Sequence, residues 1–115
     1  MAKSPAYAQW LLAMAEARKA ANDNEIDGCE DILAYISIQS ENNNVVRNTN
    51  LVQSLLFGSG PTVARKVKVL LERRLIVSKD IESDARAKNL LLTQAGRDLL
   101  NERTKQMIQM VKSYP

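Results

Sequence analysis

The sequence predicts a mainly α fold with one small β-hairpin (α+β). Two observations lead there: five stretches carry apolar residues at three- and four-residue intervals, and one late pair of alternating segments is joined by charged residues. At 115 residues the chain has room for one domain, large enough to bury a core without disulfides or metal. Hydrophobic residues make up 45% and charged residues 25%, a balance that excludes disorder as the main state.

The first helix is expected over 5–21. Ser4 can cap its free amides, Pro5 suits its first turn, and Tyr7, Trp10, Leu11 and Met14 share one face. Asn22, Asp23 and Asn24 break it. A second helix opens at Asp27, which forms a capping box with Glu30 and precedes a stripe of Cys29, Ile32, Leu33 and Ile36. After a polar turn over 40–44, Val45 and Val46 suit a short strand. A third helix starts near Asn48 or Thr49, with Val52 and Leu56 as its inward positions, and ends at Gly58 and Ser59.

The fourth helix is expected over 61–74, capped by Ser59 or Gly60. Val63, Val67, Leu70 and Leu71 face the core, which leaves Thr62, Arg65, Lys66 and Lys68 on or beside the outer face. Residues 75–80 and 89–93 read as strands joined by the charged segment 81–88. Thr93 can cap a last helix whose first turn holds Gly96, where close packing requires the absence of a side chain. Leu99, Leu100, Met107, Met110 and Val111 give that helix its apolar side.

The net charge of +3 is unevenly spread. Residues 1–58 hold four Lys or Arg against seven Asp or Glu, giving −3, whereas 59–97 hold nine against four, giving +5. The tail, with three against two, adds +1. A positive field confined to one stretch fits a nucleic-acid footprint, although such stretches also occur as solvated faces.

Several classes are excluded or weakened. No apolar run approaches the roughly 18 residues that cross a bilayer, and the first thirty residues lack a signal-peptide pattern, so no membrane association and a cytoplasmic location are expected. A lone cysteine, Cys29, cannot form an internal disulfide, and without histidine the usual zinc sets are missing, so no metal or cofactor is expected. Cys29 near a helix start could sense oxidants, but such a cysteine is more often a small buried hydrophobe. An enzyme is not expected, because no nucleophile stands near a recognisable base. Gly58-Ser59-Gly60 follows a helix and lacks the Lys-Ser or Lys-Thr of a nucleotide loop. Asp80, Glu82 and Asp84 alternate like the start of a calcium loop, but Ala85 and Leu91 stand where it needs glycine and glutamate.

Two short helices joined by a tight turn, the second basic and followed at once by a basic hairpin, make a DNA-reading arrangement. Ser59, Pro61, Thr62, Val63, Arg65 and Val67, then Leu70, Leu75, Asp84, Arg86, Lys88, Leu92, Thr93 and Gly96, resemble the MarR-type winged helix-turn-helix regulators. The resemblance covers roughly residues 45–100 and rests on the order and spacing of many weak matches. It implies one winged-helix domain over 1–115, with the helix-turn-helix and wing at 45–93 and dimerisation helices at 5–21 and 94–113.

The resemblance further implies a recognition helix whose Ser59, Gly60, Pro61, Thr62 and Arg65 meet bases and phosphates, with Lys66 and Lys68 beside them. Arg86 matches the wing arginine that probes the minor groove, Asp84 the acid that orients it, and Lys79 and Lys88 would flank it on phosphates. Arg74 stands where the family has glycine, so it either extends the basic surface or takes a left-handed conformation. In this family the end helices of two subunits interlock. That would pair Tyr7, Trp10, Leu11 and Met14 with Leu100, Met107, Met110 and Val111 across a homodimer; the alternative is packing within a monomer. Met14, Met107 and Met110 serve equally as core filler or as lining for a small-molecule effector.

The expected function is a homodimeric transcriptional regulator, a repressor, on a pseudo-palindromic double-stranded operator. The alternatives are a plasmid or phage replication or partition protein, and a winged-helix protein-interaction module.

Overall fold

The computed structural model describes residues 5–21, 28–81 and 84–113, with backbone alone at 17, 18, 20, 21, 84–87, 110 and 113. The elements run α1 (Ala6–Ala21), α2 (Glu30–Glu41), α3 (Asn48–Gln53), α4 (Gly60–Glu72), β1 (Ile76–Ile81), β2 (Asp84–Leu92) and α5 (Gln94–Ser113). This is the expected mainly helical fold with one two-stranded antiparallel hairpin. The expected Ser4 cap and the Asp27 side chain lie outside the described residues. Helix α2 opens later than expected: Gly28 stands at φ 85° and Cys29 is the N-cap, so Glu30 is the first residue of the helix and cannot complete a capping box with Asp27.

The core sits between α2, α3, α4 and the base of the hairpin. The predicted α2 stripe of Cys29, Ile32, Leu33 and Ile36 is buried against Leu51, Phe57, Val63, Val67, Leu70, Ile76 and Leu90. Tyr35 stands edge-on to the Phe57 ring at 5.6 Å, an arrangement that suits the quadrupoles of the two rings.

Residues 45–46 form no strand. Instead Val46 is stitched to β2 by two bonds: the Leu90 amide donates to the Val46 carbonyl at 2.8 Å, and the Val46 amide donates to Asn89 Oδ1 at 3.0 Å. A side-chain amide thus replaces the next rung of a ladder, so pairing stops after one residue.

The inward positions of the third helix also differ from expectation. Val52 is half-buried and Leu56 is exposed, while Leu51 and Phe57 enter the core. The cause is early termination. The Ser54 hydroxyl donates to the Leu51 carbonyl at 2.7 Å, and Leu55 turns left-handed with φ 61°, which breaks the helical phase before Leu56.

Helix α4 ends in a Schellman turn. The Arg74 amide donates to the Leu71 carbonyl and the Leu75 amide to the Leu70 carbonyl, both at 3.0 Å, with Arg74 at φ 58° between them. Arg74 therefore takes the left-handed conformation, a position where glycine is the unstrained choice. Leu71, expected in the core, is exposed beyond the last buried turn.

In the hairpin Ile76 pairs with Leu92 and Ile81 with Asp84, with an irregularity between Asp80 and Ile81. Thr93 caps α5 as expected: its hydroxyl accepts from the Gly96 amide at 3.1 Å and donates to the Arg74 carbonyl at 2.6 Å. A Cβ on Gly96 would collide with the Leu75 carbonyl oxygen, which explains the glycine. Helix α5, 20 residues long, packs along α1. The described molecule measures 58 × 25 × 25 Å.

Candidate nucleic-acid interface

Pro61 at the start of α4 needs no amide partner, and Val63, Val67 and Leu70 fall on the core side. Pro61, Ala64, Arg65, Lys68 and Glu72 are left exposed. Ser59 forms the N-cap; its carbonyl accepts from the Val63 amide at 2.9 Å, while its hydroxyl donates to Thr62 Oγ1 at 3.1 Å. Nothing lies within 4 Å of a Cβ built on Gly60, so the backbone there is open to close approach.

The predicted cations divide into two groups. Arg65 and Lys68 project from the outer face of α4, although Lys68 also lies 3.9 Å from Glu72 in an exposed pair worth little. Lys66 lies on the flank instead, where its ammonium donates to the Phe57 carbonyl at 3.1 Å and holds the turn before the helix. On the hairpin, Lys79 is exposed opposite Asn89. Lys88 pairs across the ladder with Asp80. The side chains of Asp84 and Arg86 lie outside the described residues, although their backbone belongs to β2.

One feature beyond those side chains marks the region. No Asp or Glu occurs from residue 42 to residue 71, while Arg47, Arg65, Lys66 and Lys68 do. A 30-residue stretch without carboxylates concentrates the positive field, which Glu72 meets just beyond its end beside Lys68. Arg47, exposed at the N-cap of α3, belongs to it and was missed by residue-by-residue reading. The absence of acids was the signal that could have found it.

The expected dimer residues occupy the arm formed by α1 and α5. Tyr7, Trp10, Leu11 and Met14 are exposed, while Leu100, Met107 and Val111 are half-buried; the Met110 side chain lies outside the described residues. Leu12 and Ile108, not singled out beforehand, are exposed as well. Where arm meets body, a cavity of 220 Å³ is lined by Met14, Asp31, Leu100 and Met107 and floored by an ion pair, Arg103 Nε to Glu30 Oε1 at 2.5 Å. Cys29 is buried, as the hydrophobic reading of it requires. Among the described residues no three His, Cys, Asp or Glu side chains cluster as metal ligands would, and no helix is long and apolar enough to cross a membrane.

No protein-family model and no curated protein matches the chain. Solved structures do. The transcriptional regulator Tm0710 of Thermotoga maritima superposes with a TM-score of 0.74 at 23% identity, covering 89% of this chain and 69% of that one. MepR of S. aureus, in a complex with DNA, gives 0.69 at 21% identity over 86% of this chain and 76% of its own. The adhesin competence repressor AdcR of Streptococcus pyogenes gives 0.59 at 23% identity over 82% and 66%. The chain thus has the winged helix-turn-helix fold of these regulators, the architecture that its likeness to MarR-type proteins implied.

Proposed function

We propose that the protein is a sequence-specific double-stranded DNA-binding transcriptional regulator, a repressor that acts as a homodimer on a pseudo-palindromic operator. The observation that carries this reading is the cationic outer side of the helix-turn-helix, set in a stretch, 42–71, that holds no carboxylate, with Arg65 and Lys68 exposed on α4. In that role α4 enters the major groove with Ser59, Thr62 and Arg65 at base edges, while the hairpin, through Lys79, Arg86 and Lys88, follows the neighbouring phosphates or minor groove. MepR, which shares the fold, is a DNA-bound protein in its complex, and AdcR is by name a repressor.

The homodimer is supported by the apolar surface of the arm, where Trp10 is 47% and Leu11 48% exposed. A second copy covering it would set two α4 helices about one DNA turn, roughly 34 Å, apart. Repression follows as occlusion of a promoter. The cavity beside Arg103 offers a place for a small-molecule effector to alter that spacing.

Selection of bound duplexes from a random pool tests the reading. An enriched palindrome establishes DNA reading and two-fold symmetry together; a pool that never enriches, with binding indifferent to salt, overturns it.

A further inference from the structure

The turn between α3 and α4 holds out two leucines that the fold does not need. Leu55 is 86% exposed and Leu56 69%, whereas the next residue, Phe57, is buried in the core. Leu55 stands at φ 61°, a conformation that glycine or asparagine adopts more readily than leucine. The turn is nevertheless firmly built: the Leu56 amide donates to Ser54 Oγ at 3.3 Å, and Lys66 clamps the Phe57 carbonyl. It also lies against the start of α4, since a Cβ on Gly58 would come within 3.0 Å of the Thr62 methyl. An apolar tip with a left-handed Leu55 at the entry of a cationic helix departs from local preference, and such departures concentrate at functional sites.

We propose that Leu55 and Leu56 form an apolar base-reading contact that meets the C5-methyl group of a thymine in the major groove. The inference rests on the DNA-binding reading above. Charge selects the occupant: the pair sits inside the stretch 42–71, which carries four cations and no carboxylate. The polyanion whose accessible groove also presents methyl groups is duplex DNA. An RNA helix offers neither, because uracil lacks the methyl and its major groove is too narrow.

The test uses a duplex selected by the wild-type protein and the same duplex with deoxyuridine in place of thymidine. Leu55→Asn and Leu56→Ser are each expected to bind the selected duplex about three- to tenfold more weakly. Deoxyuridine is expected to weaken the wild type by a similar factor and to cost the affected variant nothing further. Leu55→Asn should melt no lower than the wild type, since asparagine tolerates the left-handed backbone, so lost affinity is not lost folding. Wild-type affinity in both variants, or indifference of the wild type to deoxyuridine, overturns the contact. A fall in sedimenting mass of Leu55→Asn would also overturn it, by assigning the tip to a second copy. A wild-type protein that enriches no duplex defeats the DNA-binding reading itself and this contact with it.

Discussion

The helix-turn-helix body and the α1/α5 arm use similar side chains to opposite ends. In the body, Ile32, Leu33, Ile36, Leu51 and Leu70 are fully buried, whereas in the arm Tyr7, Trp10, Leu11, Leu12 and Ile108 remain in water. Burying one such side chain contributes about 1.5–3 kcal/mol. Leu55 and Leu56 apart, the body has therefore collected its hydrophobic stabilisation within one chain, whereas in the proposed homodimer the arm would gain much of its own on association. In the proposed regulator, the domain that positions the recognition helix would be rigid alone, and the surface that joins copies would stay incomplete until they meet.

The largest effect that could break this contrast is a matched pair of truncations. Ile32→Ala should cost about 2–5 kcal/mol of stability at any protein concentration, read by denaturant unfolding. Leu11→Ala should lower the midpoint only at concentrations where copies associate, so equal losses in dilute and concentrated solution would erase the distinction. At the joint between the two regions, Gly96→Ala should cost about 1–3 kcal/mol in thermal unfolding, because its methyl group collides with the Leu75 carbonyl.

Arg65→Ala should weaken duplex binding by about 1–3 kcal/mol in a titration while leaving the melting temperature unchanged. A shift in melting would mean that Arg65 belongs to the body's structure and not to its outer surface. The smallest effect carries the opposite sign. Arg74→Gly should raise stability by about 1 kcal/mol, since glycine accepts φ 58° freely and keeps the carbonyl that Thr93 uses.

Elements with long, regular patterns were legible from sequence. Val63, Val67 and Leu70 announce α4 and its inward side, and Thr93 with Gly96 announces the start of α5, because a cap and a close approach each demand particular residue types. The α3–α4 turn was not legible. Leu51, Val52, Leu55 and Leu56 suit two helical phases equally, and only the Ser54 hydrogen bond decides between them.

Within the candidate site, sequence located the cations without their partners. Nothing local indicates that Lys66 would reach back to Phe57, or that Lys88 would meet Asp80 across the hairpin, since both pairings depend on tertiary register. The resemblance left two readings of Arg74 open, and the structure bears out the left-handed one, because a Schellman turn specifies geometry regardless of which residue occupies it.

The two bonds that stitch Val46 to Leu90 and Asn89 would constrain how the proposed regulator accommodates its duplex. They lie just ahead of α3 and tie the chain that enters it to the ribbon, so a tilt of α3 would pull on β2 and the head would move as a unit. If the protein binds as the proposed homodimer, tolerance for half-sites placed a base pair too near or too far would then reside in the swing of the arms, and lengthening a linker inside the head would not supply it.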